Sequence, residues 1–348
     1  MKGRAVKEAG ARMKTLSAAV VGAGSWGTTL ADLLARKGSG SVRLWARNPE
    51  LAGIIEKTRE NPAYLPGIKL SDNIGVTNSL ADALKGASLV VCAVPSHGIR
   101  EVFKDAPAHI PKDAIIVSAS KGIEEATNLT SSQILRDVLP QVLREHIVIF
   151  SGPTFAKEVA RHLPSAACAA SRINKDATVV QEAFSTPYFR IYTNPDPAGV
   201  ELGGTLKNVI AIACGISDGL GLGSNARAAL ITRGLSEISR LGVKMKADIK
   251  TFYGLSGLGD LVLTSTGALS RNHAVGVEIG KGRKLKEILS GMRMVAEGVK
   301  TSLAVRRLSH LLSVEMPITE AVCAVLYEDK SPRQATVELM TRELKEEL

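Results

Sequence analysis

Apolar and polar positions along this chain fall into two regimes. Up to about residue 195, short apolar runs alternate with segments of helical spacing. The runs at 17–21, 41–47, 87–96, 114–119 and 147–150 predict strands, and those at 87–96, 114–119 and 147–150 are apolar without a break. Such continuous runs mark strands buried on both faces of a parallel sheet. Weaker strand signals lie at 74–77, 165–170 and 189–193. Helices are predicted at 28–37, 49–60, 79–86 and 175–185, the second with Asn48 as cap and Pro49 at its first position. Alternation of this kind predicts a doubly wound α/β sheet, with ligands at the carboxyl ends of the strands. After the breaker Asn194-Pro195-Asp196-Pro197 the pattern changes to helices and loops, through to Leu348. The expected organisation is therefore an N-terminal extension at 1–15, flexible and basic, an α/β domain at 16–195 and an all-helical domain at 196–348.

The first strand runs into Gly22-Ala23-Gly24-Ser25-Trp26-Gly27, and a helical segment follows at once. In that context the glycine spacing reads as a Rossmann-type dinucleotide turn. Gly22 permits the tight turn, Gly24 lets the backbone approach a pyrophosphate, and Gly27 lets the helix pack close to the strand. A purely structural turn is the competing reading. The position about 20 residues beyond the third glycine commonly carries an acid for the ribose hydroxyls of NAD. Here it is Arg47, which can pair with a 2′-phosphate, so NADPH is favoured over NADH. The alternative for Arg47 is an ordinary surface arginine.

Other strand ends carry candidates for chemistry. Lys121 follows an apolar strand directly, and Ser151-Gly152-Pro153-Thr154-Phe155-Ala156 follows another. In the second region, Leu206 to Cys214 is apolar except for Lys207 and Asn208. A helix apolar on nearly all sides is buried. A buried lysine is costly unless paired, and desolvation lowers its pKa toward a range useful for proton exchange with a carbonyl. The competing reading is a structural lysine whose stem reaches solvent. Gly203 and Gly204 inside that helix suggest close approach by another backbone or a cofactor. Gly215 to Gly223 reads as a flexible turn before a helix at 225–241. Asp260, among apolar residues, either caps a helix at Leu261 or holds a lysine. Ser270-Arg271-Asn272 starts a further helix, where a phosphate would meet free N–H groups and a forked guanidinium; the competing reading is an ordinary capped helix with a surface arginine.

Composition narrows the class. The 45% hydrophobic and 22% charged content is that of a globular protein. No apolar run is as long as a membrane span. The net charge of +10 is spread along the chain, without a basic helix or aromatic–basic alternation, so nucleic acid is not expected as partner. A positive field also attracts a small phosphorylated substrate. Cys92, Cys168, Cys214 and Cys323 form no metal or disulfide pattern, and free thiols suit a reducing cytoplasm.

Several of these stretches occur together in the order and spacing of one family. They are Gly22-Ala23-Gly24-Ser25-Trp26-Gly27, Lys121-Gly122, Ser151-Gly152-Pro153-Thr154-Phe155-Ala156, Leu206-Lys207-Asn208, Gly257-Leu258-Gly259-Asp260-Leu261, Ser270-Arg271-Asn272 and Glu315-Met316-Pro317-Ile318. Over roughly residues 16–340 the chain resembles the bacterial NAD(P)-dependent sn-glycerol-3-phosphate dehydrogenases. The resemblance implies reversible reduction of dihydroxyacetone phosphate to sn-glycerol 3-phosphate, feeding glycerophospholipid synthesis, with NADPH or NADH and no metal. It implies Lys207 as proton donor and acceptor, Lys121 as a second lysine touching cofactor and substrate, and Asp260 beside them. Gly152, Thr154, Ser270, Arg271 and Asn272 match substrate positions. Gly22, Gly24, Ser25, Trp26, Gly27, Arg47, Ala156, Val295 and Glu297 match cofactor positions, with Arg271 reaching the cofactor as well. A homodimer is implied by resemblance only. The alternatives are a related dehydrogenase of another small hydroxy acid or a ketopantoate-like substrate, and a non-catalytic NADPH-sensing protein.

Overall fold

The computed structural model describes residues 16–38, 40–292, 296–344 and 346–347. The expected N-terminal extension lies outside the described residues. The chain divides into two compact units: one runs to Lys121 and resumes over Thr130–Glu201, and the other comprises Gly122–Leu129 and the chain from Leu202 onward.

The first unit is an α/β sheet with helices. Its strands are β1 (Ala18–Val21), β2 (Val42–Trp45), β3 (Ile74–Thr77), β4 (Leu89–Cys92), β5 (Ile115–Ser118), β6 (Ile147–Ser151), β7 (Ser165–Ala170) and β8 (Phe189–Asn194). Their order in the sheet is β3-β2-β1-β4-β5-β6-β7-β8. All neighbours pair in parallel except β6 with β7, which are antiparallel. The strand order reverses at β1, whose Val21 lies opposite Trp45 on one side and Cys92 on the other. The helices of this unit are α1 (Ser25–Lys37), α2 (Pro49–Thr58), α3 (Leu80–Leu84), α4 (Ile99–Phe103), α5 (Ser131–Val138), α6 (Gln141–Arg144), α7 (Ala156–Ala160) and α8 (Asn174–Phe184). Leu30 and Leu34 of α1 join Val20, Leu44 and Ile55 in one fully buried core. Phe150 of β6 packs on Phe184 of α8 and Phe189 of β8, with ring centroids 4.9 and 6.2 Å apart. Asn48 caps α2 as the sequence predicts, its side chain accepting from Leu51 N at 3.0 Å.

Helix α1 starts at Ser25, three positions before the expected start at Thr28, so the last glycine of the turn is already helical. Lys37 then closes α8 at its far end, donating to the carbonyls of Glu182 and Ser185.

Every named element beyond Asn194 is helical. These are α9 (Pro197–Gly219), α10 (Gly223–Lys244), α11 (Asp260–Thr266), α12 (Arg271–Gly280), α13 (Leu285–Ser290), α14 (Glu297–Leu311), α15 (Pro317–Tyr327) and α16 (Pro332–Met340), with a 3₁₀ turn at Ile249–Tyr253 and a π turn at Leu255–Gly259. The division between the units falls inside α9, between Glu201 and Leu202. α9 is long and apolar enough to pass for a membrane span by length and composition, but 94% of that window is buried within the protein. It is the central helix of a core.

The glycine-rich stretch from Gly215 is not the flexible turn the sequence suggests. Gly215 and Gly219 are helical residues of α9. A Cβ on either would overlap a carbonyl oxygen of α12, at His273 and Val277, and a Cβ on Gly276 or Gly280 of α12 would overlap carbonyls of Ile212 and Ile216. Paired glycines four apart on both helices bring the two backbones into contact, as small residues do wherever helices cross closely. The actual turn is confined to 220–222, with Gly221 at φ 75°.

Candidate active site

In the first unit the site is built from backbone. Gly22 follows β1 with φ 116°, in the left-handed region, and a Cβ there would lie 2.8 Å from the Ala93 carbonyl oxygen. A Cβ on Gly27 would overlap the carbonyl of Gly22. Both glycines are therefore demanded by the protein itself. Gly24 differs: a Cβ at this position meets no protein atom within 4 Å. No side chain caps α1 here, and its first turn carries no acid. First-turn N–H groups, which have no intrahelical acceptor, the helix dipole and an open approach at Gly24 fit a pyrophosphate. Asn61 pins the turn from behind, its buried Nδ2 donating to the Ala23 carbonyl at 2.9 Å and to Thr28 Oγ1 at 2.8 Å. Nothing in the sequence around Asn61 marks it for this role.

The remaining first-unit candidates gather around this turn and the neighbouring strand ends. Ser25 Oγ donates to the Tyr64 carbonyl at 2.6 Å, and the Trp26 ring stacks on Phe150 with centroids 6.4 Å apart. Ala156, which opens α7, receives Thr29 Oγ1 on its carbonyl at 3.2 Å. Arg47, just past β2, is exposed and faces Glu101 of α4. Lys121 Nζ and Thr154 Oγ1 both donate to the Gly152 carbonyl, at 3.4 and 3.3 Å, so three candidates meet at one backbone atom. Gly152 has its own structural reason, since a Cβ would come 2.7 Å from Ala167 Cα on β7.

In the second unit the site is built from buried side chains. Lys207, only 6% exposed, is held on α9 by two groups of α11: the Asp260 carboxylate and Thr264 Oγ1, the latter at 2.6 Å. Asp260 and Thr264 are one helical turn apart, which puts both on the face toward Lys207. Of the two sequence readings of Asp260, the structure realises the lysine partner: its residue opens α11, and its carboxylate points to Lys207. The π turn immediately before it sets that direction, as such turns do at functional sites. Gly203 makes room for the turn, because a Cβ would sit 2.7 Å from the Ser256 carbonyl oxygen. The close approach inferred for Gly203 is thus to backbone. Thr264 was missed in the sequence; its spacing of four from Asp260 in an apolar run is the signal that could have found it.

A second buried network begins one residue further along α9, at Asn208, and reaches α12. Asn272 Nδ2 donates to Asn208 Oδ1 at 2.9 Å, and Asn272 Oδ1 accepts from Gly298 N at 3.0 Å. One amide thus ties α9, α12 and the start of α14, where Glu297 lies. Gly298 is required by this junction, since a Cβ would be 2.7 Å from the Asn208 carbonyl oxygen. Arg271, the residue before Asn272, is exposed; partial desolvation of its guanidinium pushes it below the usual range, and the Glu297 carboxylate acts in the opposite sense. Ser270 caps α12, accepting from His273 N at 3.2 Å. Asp218 anchors the same turn, its Oδ2 lying 2.8 Å from His273 Nε2 and 2.7 Å from Arg227 Nη1. Val295 lies outside the described residues.

Known proteins are similar to this chain over most of its length. The family models described as the N-terminus and C-terminus of NAD-dependent glycerol-3-phosphate dehydrogenase match residues 17–177 and 196–337. A relative from Citrifermentans bemidjiense, named glycerol-3-phosphate dehydrogenase [NAD(P)+], is 58% identical over 329 residues, which is 94% of this chain and 98% of that one. The crystal structure of glycerol-3-phosphate dehydrogenase from Coxiella burnetii is 39% identical and superposes with a TM-score of 0.88, over 94% of this chain and 99% of that one. A ketopantoate reductase from Ralstonia eutropha, 14% identical with a TM-score of 0.59 over 92% of this chain and all of its own, shares the fold alone. The chain belongs to the NAD-dependent glycerol-3-phosphate dehydrogenase family.

Proposed function

We propose that this chain interconverts dihydroxyacetone phosphate and sn-glycerol 3-phosphate, with Lys207 as the proton donor and acceptor. As a member of its family it is an oxidoreductase that uses NADH or NADPH. The observation that carries the mechanism is the buried Lys207 ammonium, aimed by Asp260 and Thr264. When bound, the nicotinamide supplies or takes the hydride at C2. In reduction the Lys207 ammonium gives its proton to the C2 oxygen; in oxidation the neutral amine takes it back. Asp260 and Thr264 fix Nζ on one line, which supports catalysis by holding the proton at a set position. Lys121 adds a second cation to stabilise the developing alkoxide, with Gly152 and Thr154 orienting it.

The Arg271 guanidinium and the N–H groups at the start of α12, with Asn272, receive the substrate phosphate. The start of α1 at Gly24, Ser25 and Trp26 receives the cofactor pyrophosphate, and Arg47 receives the 2′-phosphate of NADPH. Ala156 and Glu297 line the cofactor side. The product carries two free hydroxyls on a phosphorylated glycerol, ready for acylation, which places the reaction upstream of glycerophospholipids. Four buried free thiols are in keeping with a cytoplasmic enzyme. The assembly proposed is a homodimer, which light scattering tests.

The deciding experiment follows NADPH oxidation by absorbance with dihydroxyacetone phosphate and with unphosphorylated dihydroxyacetone. Rapid turnover of the phosphate ester alone is expected. Turnover of neither, with NADPH still bound, would overturn the substrate assignment and leave the dinucleotide site standing.

A further inference from the structure

Cofactor choice in a dinucleotide fold is commonly made at the end of β2, where an acid accepts from ribose hydroxyls and a base pairs with a 2′-phosphate. This chain has the base, Arg47, in that place, and its relatives carry a name that includes both cofactors. The acid comes from elsewhere. Glu101 lies on α4, which follows β4, and β4 flanks β1 on the side opposite β2. Its Oε2 is 3.6 Å from Arg47 Nη2, and the two side chains are 70% and 59% exposed. Neighbouring Arg100 is occupied by Asp137 at 2.5 Å, and the end of β2 is fixed by Trp45 Nε1 donating to the Asn78 carbonyl at 3.0 Å.

We propose that Glu101 is a specificity-determining residue: it opposes the 2′-phosphate at Arg47 and so keeps NADH usable beside NADPH. The inference rests on the reading of Arg47 as the 2′-phosphate ligand. So exposed an ion pair is weak and opens readily. The guanidinium has donors enough for a carboxylate and a phosphate together. The two anions nevertheless repel across one guanidinium, and a phosphate near two charges feels that repulsion more strongly than a hydroxyl does. At surface dielectric this amounts to about fivefold in relative affinity, shrinking as salt screens it.

The test is E101Q, a surface change that leaves the core untouched. Dissociation constants for NADPH and NADH are read from quenching of the two tryptophans, Trp26 and Trp45. The expected result is a rise of about fivefold in the ratio of the NADH to the NADPH constant at low salt, with a smaller rise at high salt. A ratio within about twofold of the unmodified protein would overturn the role of Glu101, since a difference that small is below what two charges at this range produce. R47A separates the possible failures. If the ratio collapses in R47A but is unmoved in E101Q, Glu101 alone is wrong. If neither moves it, Arg47 does not read the phosphate and both assignments go.

Discussion

The two units present their candidate residues in different materials. The first presents backbone: a glycine turn, an uncapped helix start and a carbonyl at Gly152 that gathers Lys121 and Thr154. The second presents buried side chains: Lys207 between Asp260 and Thr264, and Asn272 between Asn208 and Gly298. The difference suits the tasks proposed for them. A pyrophosphate is large and of fixed charge, so it is held by many N–H groups that cost nothing to aim. A single proton must be delivered at one atom, which takes a side chain locked on more than one side.

Substitutions can break this contrast. The largest effect is expected from K207A, with kcat reduced by about a thousandfold or more while NADPH still binds, because a positioned acid contributes on this scale. Near-normal turnover would remove Lys207 from the chemistry. Next is R271A, which is expected to raise the substrate KM roughly a hundredfold, the cost of a lost charge-assisted phosphate contact, with a smaller change in kcat. An unchanged KM would move the phosphate elsewhere.

The glycines sharpen the backbone side. At φ −73° with no atom within 4 Å, Gly24 can take a Cβ without strain, so G24A should melt like the unmodified protein yet bind NADPH about tenfold more weakly through lost pyrophosphate approach. G27A should unfold at lower temperature as well, since its Cβ overlaps the Gly22 carbonyl. If both variants keep full affinity, the turn is structural only.

The smallest effect concerns a buried carboxylate in each unit that caps a helix. Glu201 accepts from Ser132 N at 2.7 Å at the start of α5, and Glu237 accepts from Ile318 N at 2.6 Å at the start of α15. Burial raises both, and Glu237 is pushed up to about 7. A carboxyl whose folded pKa exceeds its unfolded value binds more protons folded than unfolded. Its penalty is therefore absent below about 4.5 and grows as pH rises to about 7. Thermal melts should show Tm falling by a few degrees over that window, less steeply in E237Q; an equal slope in both would assign the titration to other groups.

Much of the fold was legible in the sequence because its signals are local. Unbroken apolar runs placed the strands, and the antiparallel pairing of β7 was not among the things they specify. Asn48 and Ser270 marked helix starts through bonds that span three residues, and Pro49 through its fixed φ. The glycine turn was readable for the same reason. The stretch from Gly215 misled, since glycine permits a turn as readily as a close helix crossing, and only the partner helix shows which is used.

The chain order alone therefore decides strands, helix starts and the places where backbone must come close. Which buried side chains meet is decided by packing. Lys207, Asp260 and Thr264 are local neighbours only in the pair on α11, and Lys207 reaches them because α9 and the π turn bring it there. Asn61 behind the glycine turn and Glu101 beside Arg47 belong to the same class. No periodicity or short motif encodes such encounters, because the partners lie far apart in the sequence and meet only where the folded chain brings their segments together.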